Sequence, residues 1–329
     1  MTISKPGWQR WHDESEPIRI GISSCLLGQK VRFDGGHKRD RYLTDVLGQW
    51  LTWVPVCPEL EIGLGIPRPT IRLENAQPEA RLVEPKSGRD LTDTMQTYAE
   101  EKVGELQKLE LDGFILKKGS PSCGMERVRI YGRGGVPIRN GVGVFARVLM
   151  RRLPNLPVEE EGRLNDSVLR ERFIAHVFCR HRWRSMERRG LTRRLLVEFH
   201  TAHKMQLRSH NEAAYRRLGR IVASAGTIPD RELFQSYEDE LHTALSTRPS
   251  TKRHANVLYH AIGYLNQVLE PFEKQELVQL IEDYRLGLVP LVVPVTLIRH
   301  HVAKHEIPYL EGQLYLEPHP KELMLRNRV

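Results

Sequence analysis

The chain is poor in cysteine, with four among 329 residues, and it has no long apolar run. Four cysteines are too few for a disulfide-stapled secreted scaffold. No stretch approaches the roughly 20 consecutive apolar residues of a transmembrane helix, and residues 1–6 lack the apolar core of a secretory signal. Proline and glycine are spread out rather than massed in tracts, which excludes collagen-like and disordered classes. We therefore expect a globular protein of the cytoplasm.

The length of the chain indicates two domains, because a single core usually stops growing at about 250 to 300 residues. Residues 154–162 contain two prolines, an acidic run and a glycine, a composition typical of a linker. We therefore expect one domain over residues 1–160 and a second over residues 161–329.

The first domain alternates short β-rich runs with helical stretches. Runs that are β-branched or aromatic and end at turn residues predict strands over residues 18–23, 51–56 and 113–117. Apolar residues three or four apart predict a helix over residues 92–109, and another is expected over 143–152. Strands alternating with helices are typical of a Rossmann-like α/β domain with a mostly parallel sheet.

The second domain has a helical pattern, which predicts an all-α fold. An apolar helical face is expected over residues 169–178, and residues 191–225 are expected to form one long helix or two joined helices. Two further helices are expected: one over residues 255–269, and one that begins between Pro290 and Pro294 and ends at about Lys304. The tail, residues 307–323, is predicted to be extended along the surface.

Three of the four cysteines lie just after predicted strands. Cys25, Cys57 and Cys123 follow the first, second and third strands. Because the carboxyl ends of parallel strands meet at one edge of a sheet, these residues are expected to converge there. Cys179 lies beside Phe178 on an apolar helix face, and we interpret it as core packing.

The spacing of these three thiols leaves their chemistry open. A closed structural zinc site normally takes four ligands and shows paired Cys-x-x-Cys motifs, which this sequence lacks. Three thiolates suit an iron–sulfur cluster with one open coordination site, and an open site indicates catalysis. Another metal, a catalytic thiol and ordinary buried cysteines are the alternatives.

Longer motifs extend from these cysteines into the second domain. The first domain contains Ser23–Gly28, Val31–Gly35, Val56–Glu59, Gly65–Arg68 and Leu116–Gly124. The second contains Phe199–Lys204, Tyr284–Leu291 and Tyr309–Leu316. The first set resembles the thiouracil desulfidases and the second resembles the YbgA-like helical domain. The two domains in this order are similar to the RudS group, which removes sulfur from 4-thiouridine in transfer RNA.

The resemblance implies a [4Fe-4S] cluster bound by Cys25, Cys57 and Cys123, with the unique iron taking the sulfur of the substrate. It also implies that the helical domain holds the RNA. Replacing a thiocarbonyl sulfur by oxygen requires no net electron transfer, and iron among thiolates is a soft Lewis acid. We therefore expect a non-redox desulfidase.

Five further residues are predicted to serve this chemistry. Glu59, two residues after a cysteine, is placed to act as general base for water or as the nucleophile. Ser120 is expected to donate a hydrogen bond to the base or to the departing sulfide. Ser122, Lys117 and Asp34 are expected to contact the substrate. Each has a structural alternative: a surface carboxylate, turn serines, a solvated lysine, and an ion pair between Asp34 and a neighbouring arginine.

Basic residues are concentrated in one window, residues 163–220, which holds 15 of them against five acidic residues. The net charge of the rest of the chain is therefore close to neutral. Trp183 is expected to supply a stacking surface for bases. Eight residues of the window are predicted to bind RNA phosphates: Arg180, Arg182, Arg184, Arg188, Arg189, Arg193, Arg194 and Lys204. A solvated helix face is the alternative. His200 and His203 are interpreted as satisfied helix histidines rather than as a metal pair.

Four functions compete. The leading hypothesis is a desulfidase acting on 4-thiouridine in transfer RNA. The others are a desulfidase of free thiobases such as 2-thiouracil, a nucleic-acid-binding module with a structural metal, and a cysteine-nucleophile enzyme. Because a basic helical domain is an odd accessory for a small neutral base, thiolated transfer RNA is the expected partner. No membrane association is expected, and the protein is expected to be a monomer or a dimer.

Overall fold

The computed structural model describes residues 7–12, 15–75, 79–132 and 136–328. The chain forms two compact units. One spans Pro17–Asn165 and is called the cysteine unit. The other, called the helical unit, spans Asp166–Val329 together with the N-terminal segment up to Glu16. The N-terminal segment therefore belongs with the second half of the chain, which the sequence did not indicate.

The cysteine unit contains two four-stranded sheets. Its strands are β1 (Arg19–Ser23), β2 (Thr52–Val56), β3 (Arg72–Glu74), β4 (Arg81–Val83), β5 (Gly113–Leu116), β6 (Val128–Tyr131), β7 (Pro137–Gly141) and β8 (Val158–Glu160). The first sheet, in the order β2-β1-β5-β8, is parallel throughout. The second, in the order β4-β3-β6-β7, is mixed. The predicted parallel sheet is thus confirmed.

Three helices accompany these sheets: α1 (Pro58–Glu61), α2 (Thr92–Lys108) and α3 (Val144–Arg152). The predicted face of α2 is buried at Met95, Ala99, Val103 and Leu106, in a core that also contains Phe114 from β5. The helix predicted from the spacing of apolar residues is thus confirmed as α2, and the second expected helix is confirmed as α3.

The predicted linker over residues 154–162 is wrong in part, because it contains β8. This strand pairs in parallel with β5 at the edge of the first sheet. Glu159 is fully buried and accepts a hydrogen bond from Arg163 at 2.5 Å. Glu160 is also buried and accepts one from the Met125 backbone N–H at 2.8 Å. The acidic run is therefore satisfied inside the unit rather than by solvent.

The second half is mostly helical, as predicted. Its helices are α4 (Ser167–Arg188), α5 (Arg193–His210), α6 (Glu212–Ala223), α7 (Asp230–Ser246), α8 (Thr251–Leu265), α9 (Pro271–Arg285), α10 (Val292–Lys304) and α11 (Pro308–Glu311). Residues 191–225 contain two α-helices, because the Asn211 side chain caps α6 by accepting from the Ala214 N–H at 3.1 Å. No helix among the described residues is long and apolar enough to cross a bilayer.

The tail does not run extended along the surface as predicted. It forms α11 and then turns, and Leu310, Leu314 and Tyr315 are fully buried. These apolar side chains complete the core of the helical unit, so the tail lies inward.

Within the helical unit, the N-terminal segment packs against α4 and α5 through aromatic rings. Trp8 contacts Phe178 with ring centroids 6.3 Å apart, and Trp11 contacts Phe199 at 5.8 Å, both edge to face. Glu16 accepts from Arg188 at 2.6 Å. Cys179, interpreted as core packing, is fully buried in the same core.

Candidate active site

Three loops at the carboxyl ends of β1, β2 and β5 meet at one edge of the parallel sheet. Cys25 lies in the single turn Ser24–Leu27 that follows β1. Cys57 directly precedes α1, and Cys123 lies in the turn after β5. The order of the strands brings the ends of β2, β1 and β5 side by side, so the chain carries the three thiols to one place.

The three cysteines line a single cavity of ≈ 310 Å³. That volume lies in the range of small-molecule sites. Five functional side chains share its wall: Glu59, Arg68, Lys117, Ser120 and Ser122. The cavity therefore combines soft sulfur ligands with a carboxylate, cationic side chains and hydroxyls.

The thiols of the cavity are electrostatically coupled. Burial raises the pKa of all three, that of Cys25 to about 11. Cys57 further raises the pKa of Cys25, and both raise that of Cys123, whereas Lys117 lowers the pKa of Cys25. Raised pKa values keep the three groups as neutral thiols near neutral pH, and a cationic metal centre would favour their thiolate forms.

The donor set fits a cluster better than a single ion. The candidate ligands at the cavity wall are all thiols. A closed structural zinc site takes four protein ligands, whereas a donor set made only of thiolates is typical of an iron–sulfur cluster.

Glu59, in the first turn of α1, is held by donors on both carboxylate oxygens. Arg68 donates to Oε2 from Nη2 at 2.7 Å and from Nε at 3.2 Å. Ser122 donates to Oε1 at 2.6 Å. The Ser120 hydroxyl lies 3.4 Å from the same oxygen and 2.9 Å from the Ser122 hydroxyl. Charge-assisted bonds of this kind fix the orientation of the carboxylate at the cavity wall.

Arg68 is the site residue that the residue-level reasoning missed. Its side chain is 3% exposed, and besides Glu59 it binds the Gly65 carbonyl at 3.0 Å. A buried guanidinium needs an acidic partner, and Glu59 supplies it. The only signal in the sequence was its place in the motif Gly65–Arg68, because an arginine in a loop gives no indication of its burial.

The other predicted substrate contacts divide into two groups. Lys117 lines the cavity, and its ammonium group pairs with Glu161. Ser122 lines it too, as the closest hydroxyl to Glu59. Asp34 does not line the cavity; it pairs with Arg32 at 3.5 Å on an exposed loop. The structure therefore favours the ion-pair alternative for Asp34.

The centre of the arginine-rich window is buried in the helical unit. Arg182 is 2% and Arg184 7% exposed, so neither lies on a surface that RNA could reach. Arg182 donates instead to the Pro318 carbonyl at 3.0 Å and to His203 at 3.3 Å. Trp183, expected to stack on bases, is 1% exposed in the aromatic core. These three predictions of RNA contact are therefore wrong.

Most of the remaining arginines of the window have acidic partners. The pairs are Arg180 with Glu238, Arg188 with Glu16, Arg193 with Asp230, and Arg194 with Glu198. Three of these four acids lie outside the window, so counting charges within it could not reveal them. Arg189 is exposed and Lys204 is half-buried. The cationic surface of this unit is therefore smaller than its charge count indicated.

His200 and His203 are core residues with hydrogen-bond partners. His200 Nδ1 lies 3.1 Å from the Tyr237 hydroxyl, and His203 Nδ1 lies 2.8 Å from the Phe199 carbonyl. Burial lowers the pKa of both rings, that of His200 to about 4. They are satisfied helix histidines, as interpreted from the sequence.

Two family models match separate parts of the chain, and two curated proteins are similar to about half of it each. Residues 20–161 match the family model of the 2-thiouracil desulfurases, and residues 204–320 match DUF1722, a family of unknown function. The uncharacterized protein YbgA of Escherichia coli (strain K12) is 31% identical over 166 residues, which are 50% of this chain and 95% of YbgA. The uncharacterized protein YbbK of Bacillus subtilis (strain 168) is 29% identical over 153 residues, 45% of this chain and 98% of YbbK.

A solved structure is also similar in sequence. The [4Fe-4S]-dependent thiouracil desulfidase TudS is 36% identical, covering 45% of this chain and 93% of its own, with a TM-score of 0.37.

Proposed function

This chain belongs to the 2-thiouracil desulfurase family through residues 20–161, and from this premise we propose that it removes sulfur from 4-thiouridine in transfer RNA. The products are uridine and sulfide. One observation carries the proposal: three thiols and a fixed carboxylate line the same cavity. The reaction belongs in the cytoplasm, where transfer RNA and reduced thiols are found.

Cys25, Cys57 and Cys123 are the residues that would hold a [4Fe-4S] cluster. All three line the cavity and influence one another's ionisation. A cluster with three protein ligands supplies one iron with an open position, a soft Lewis acid for the sulfur of the substrate. Cys179 lies in the helical core and takes no part in this site.

Glu59 is the base in this proposal. Its Oε1 takes a proton from water, and the resulting hydroxide forms the new C–O bond at the ring carbon while the C–S bond breaks. The sum is C=S plus water giving C=O plus hydrogen sulfide, with no net electron transfer. Arg68 holds Oε2, so Oε1 is the oxygen turned to the serines.

Ser122 and Ser120 are placed to orient this base and to relay protons. Their hydroxyls are 2.9 Å apart, and Ser122 is 2.6 Å from Glu59 Oε1. The Ser120 hydroxyl also accepts from the Cys123 backbone N–H at 3.1 Å. This chain of contacts links the base directly to the loop of the third cysteine.

Desulfidation of a free thiobase is the second candidate function. The family description favours it, and a cavity of ≈ 310 Å³ accommodates a single base. The net charge of +9 favours a polyanionic substrate instead. The two functions differ in whether the base arrives with its phosphates.

The deciding experiment gives cluster-loaded protein both substrates under anaerobic conditions. Bulk bacterial transfer RNA is incubated, digested, and assayed by mass spectrometry for the ratio of 4-thiouridine to uridine. Free 4-thiouracil and 2-thiouracil are run in parallel. Loss of 4-thiouridine at a higher kcat/KM than the free bases supports the proposal. Turnover of free bases alone overturns the RNA substrate, and turnover of neither, with iron and sulfide at cluster stoichiometry, overturns the desulfidase.

A further inference from the structure

A second cavity of the cysteine unit opens beside the candidate active site. Its volume is ≈ 790 Å³, and it shares five wall residues with the first cavity: Ile71, Lys117, Lys118, Gly119 and Pro121. We call it the basic groove. The two cavities therefore adjoin at these five residues.

The groove carries an excess of positive charge. Three of its cations are tied to acids: Arg72 to Glu74, Lys117 to Glu161, and Arg163 to Glu126 and Glu159. Four others are exposed: Lys118, Arg127, Arg129 and Arg139. Among the described residues none of these four forms an ion pair. Their charges remain available to a ligand.

The strand register places two of these cations face to face. Arg129 on β6 is directly opposite Arg139 on β7. Like charges at opposite positions destabilise a sheet unless an anion lies between them. Tyr131 lies on the same face as Arg129, two residues along the strand, and its ring stacks with Arg72 at 4.7 Å. An aromatic ring among cations is a suitable surface for a base beside its phosphates.

The backbone at the start of β6 is strained. Arg127 has φ = 55°, in the left-handed region that non-glycine residues rarely adopt. This strain precedes the strand that carries Arg129, and Arg127 itself lines the groove. A strained arginine held at a cationic groove indicates a positional role for its side chain.

We infer that the basic groove binds the phosphate backbone next to the target nucleotide. The inference rests on the proposed function and deepens it: the base enters the thiol cavity while the adjoining phosphates contact Lys118, Arg129 and Arg139. It assigns RNA contact to the cysteine unit itself. A free base lacks phosphates, so the groove discriminates between the two candidate substrates.

The test is the double variant Arg129→Gln/Arg139→Gln, compared with the double variant Lys86→Gln/Lys108→Gln. The control removes the same charge from two exposed lysines of the same unit that do not line the groove. We expect the groove variant to raise the KM for thiolated transfer RNA 10- to 100-fold and to leave kcat/KM for free 4-thiouracil within twofold. The slope of log Kd against log salt should flatten by about 1.4 to 1.8, because two phosphate contacts are lost.

Two outcomes separate this inference from the proposed function. If the groove variant and the control bind and turn over transfer RNA equally, the groove inference is overturned and the desulfidase stands. If the wild-type protein turns over no substrate, RNA affinity alone decides. Equal affinity of wild type and groove variant then overturns the inference, and a 10-fold weaker variant supports it.

A separate observation in the helical unit concerns metal binding. Ligand atoms of Glu273 on α9 and of His301 and His305 on α10 all lie within 4.8 Å of one another. Glu273 and His301 are buried, at 8% and 3% exposure. Both ring nitrogens of His301 and Nε2 of His305 lack a hydrogen-bond partner among the described residues. Buried imidazole nitrogens with no partner are unusual and point to a ligand.

We propose that these three residues bind a divalent cation of the zinc type. Two histidines and one glutamate form a known zinc donor set that leaves a position for water. Lys304, with its side chain 48% exposed, now donates to Glu273 at 2.8 Å. Its ammonium group is free to move into solvent when a dication takes its place. Glu273 also accepts from the Glu270 backbone N–H at 3.0 Å, which fixes its orientation.

Zinc content and affinity test this proposal on the full, cluster-loaded chain. Zinc is titrated against a chelating dye and counted by elemental analysis after dialysis. We expect one zinc per chain, bound at least 10-fold more weakly by His301→Gln and by His305→Gln and unchanged in His300→Gln, an exposed neighbour on α10. If His301→Gln fails to fold, His305→Gln at the half-buried position decides. No zinc retained at micromolar concentration, or unchanged affinity in His305→Gln, overturns the site.

Discussion

The two units place their polar side chains in opposite ways. In the cysteine unit, thiols, a carboxylate and hydroxyls from three distant loops converge on a cavity. In the helical unit, Arg182, His203 and Trp183 are buried in the core, where Arg182 donates a hydrogen bond to His203. Polar side chains thus line a cavity in one unit and are buried in the core of the other.

The difference between the two units shows which sequence patterns predict the location of a side chain. Residues at the carboxyl ends of neighbouring parallel strands have a defined destination, because the sheet brings those ends together. A run of charged residues on a helix has no such defined destination, because successive residues are about 100° apart around the helix axis. Arg180 and Arg184 lie on one side of α4 and Arg182 lies on the other. A count of charged residues alone therefore cannot distinguish a solvent-exposed helix face from a buried one.

Removing one cysteine of the cavity is the strongest way to break this comparison. Cys25→Ala, Cys57→Ala or Cys123→Ala is expected to abolish cluster retention and desulfidase activity together, because a cluster with two protein ligands is not held. Iron and acid-labile sulfide are measured beside turnover. The control, Cys179→Ala, is expected to retain both, losing about 1 kcal/mol of stability. A Cys179→Ala variant without cluster would contradict the assignment of ligands.

Replacing Glu59 tests the role of this carboxylate in catalysis separately from the binding of the cluster. Glu59→Gln keeps the shape of the side chain and removes the base, so kcat is expected to fall about 10² to 10⁴-fold with iron and sulfide unchanged. Glu105→Gln, an exposed carboxylate paired with Lys102, is the matched control and should be neutral. Full activity of the Glu59→Gln variant would show that this carboxylate is only structural.

Acid is expected to weaken the helical unit more than the cysteine unit. Residues 17–165 contain only His37 of the fourteen histidines, so the other thirteen belong to the helical unit. Burial lowers the pKa of His200 and His210 to about 4 and that of His319 to about 3, whereas an unfolded histidine titrates near about 6.5.

Below pH 6.5 the unfolded state binds more protons than the folded one, so the free energy of unfolding falls as the pH falls towards 4. The loss is expected to reach several kcal/mol. Calorimetry between pH 7.5 and 5.5 should show the helical transition moving to lower temperature while the other moves less. Equal shifts of both transitions would refute this assignment of the buried histidines.

The smallest expected effect concerns Arg182. Arg182→Ala removes a buried side chain and is expected to lower the free energy of unfolding by about 2 to 4 kcal/mol. Arg194→Ala, at a position where the side chain is 88% exposed, should change it by less than about 0.5 kcal/mol. Urea denaturation measures both. Normal stability with weakened RNA binding in Arg182→Ala would restore this residue to the RNA surface.

Local patterns predicted β1, β2 and β5 of the cysteine unit, but not the second sheet. The three strands that precede Cys25, Cys57 and Cys123 are short, apolar and bounded by turns, so periodicity identified them and their parallel order followed. Strand β8 was not predicted, because Glu159 and Glu160 have the charge that is typical of solvent-exposed residues. Their burial depends on hydrogen bonds from Arg163 and from the Met125 backbone N–H, which lie in other elements.

The helical unit shows a similar limit. Helices α7, α9 and α11 were not predicted, and the prediction of an extended tail along the surface was wrong. Its apolar residues Leu310, Leu314 and Tyr315 find their places only in the completed core. Arg68 likewise gains its role from the position of Glu59 nine residues away. Partners distant in the chain, and not local propensity, decide these cases.

The aromatic contacts of the N-terminal segment set an order for synthesis. Trp8 and Trp11 leave the ribosome long before Phe178 and Phe199, with which they pack. The cysteine unit is complete at Asn165, when the helical core is still missing. Domains generally fold as units in the order in which they emerge. In the chain the cysteine unit thus lies between the first and last pieces of the helical unit, and its three cavity thiols are synthesised with their whole unit before the rest of the helical unit exists.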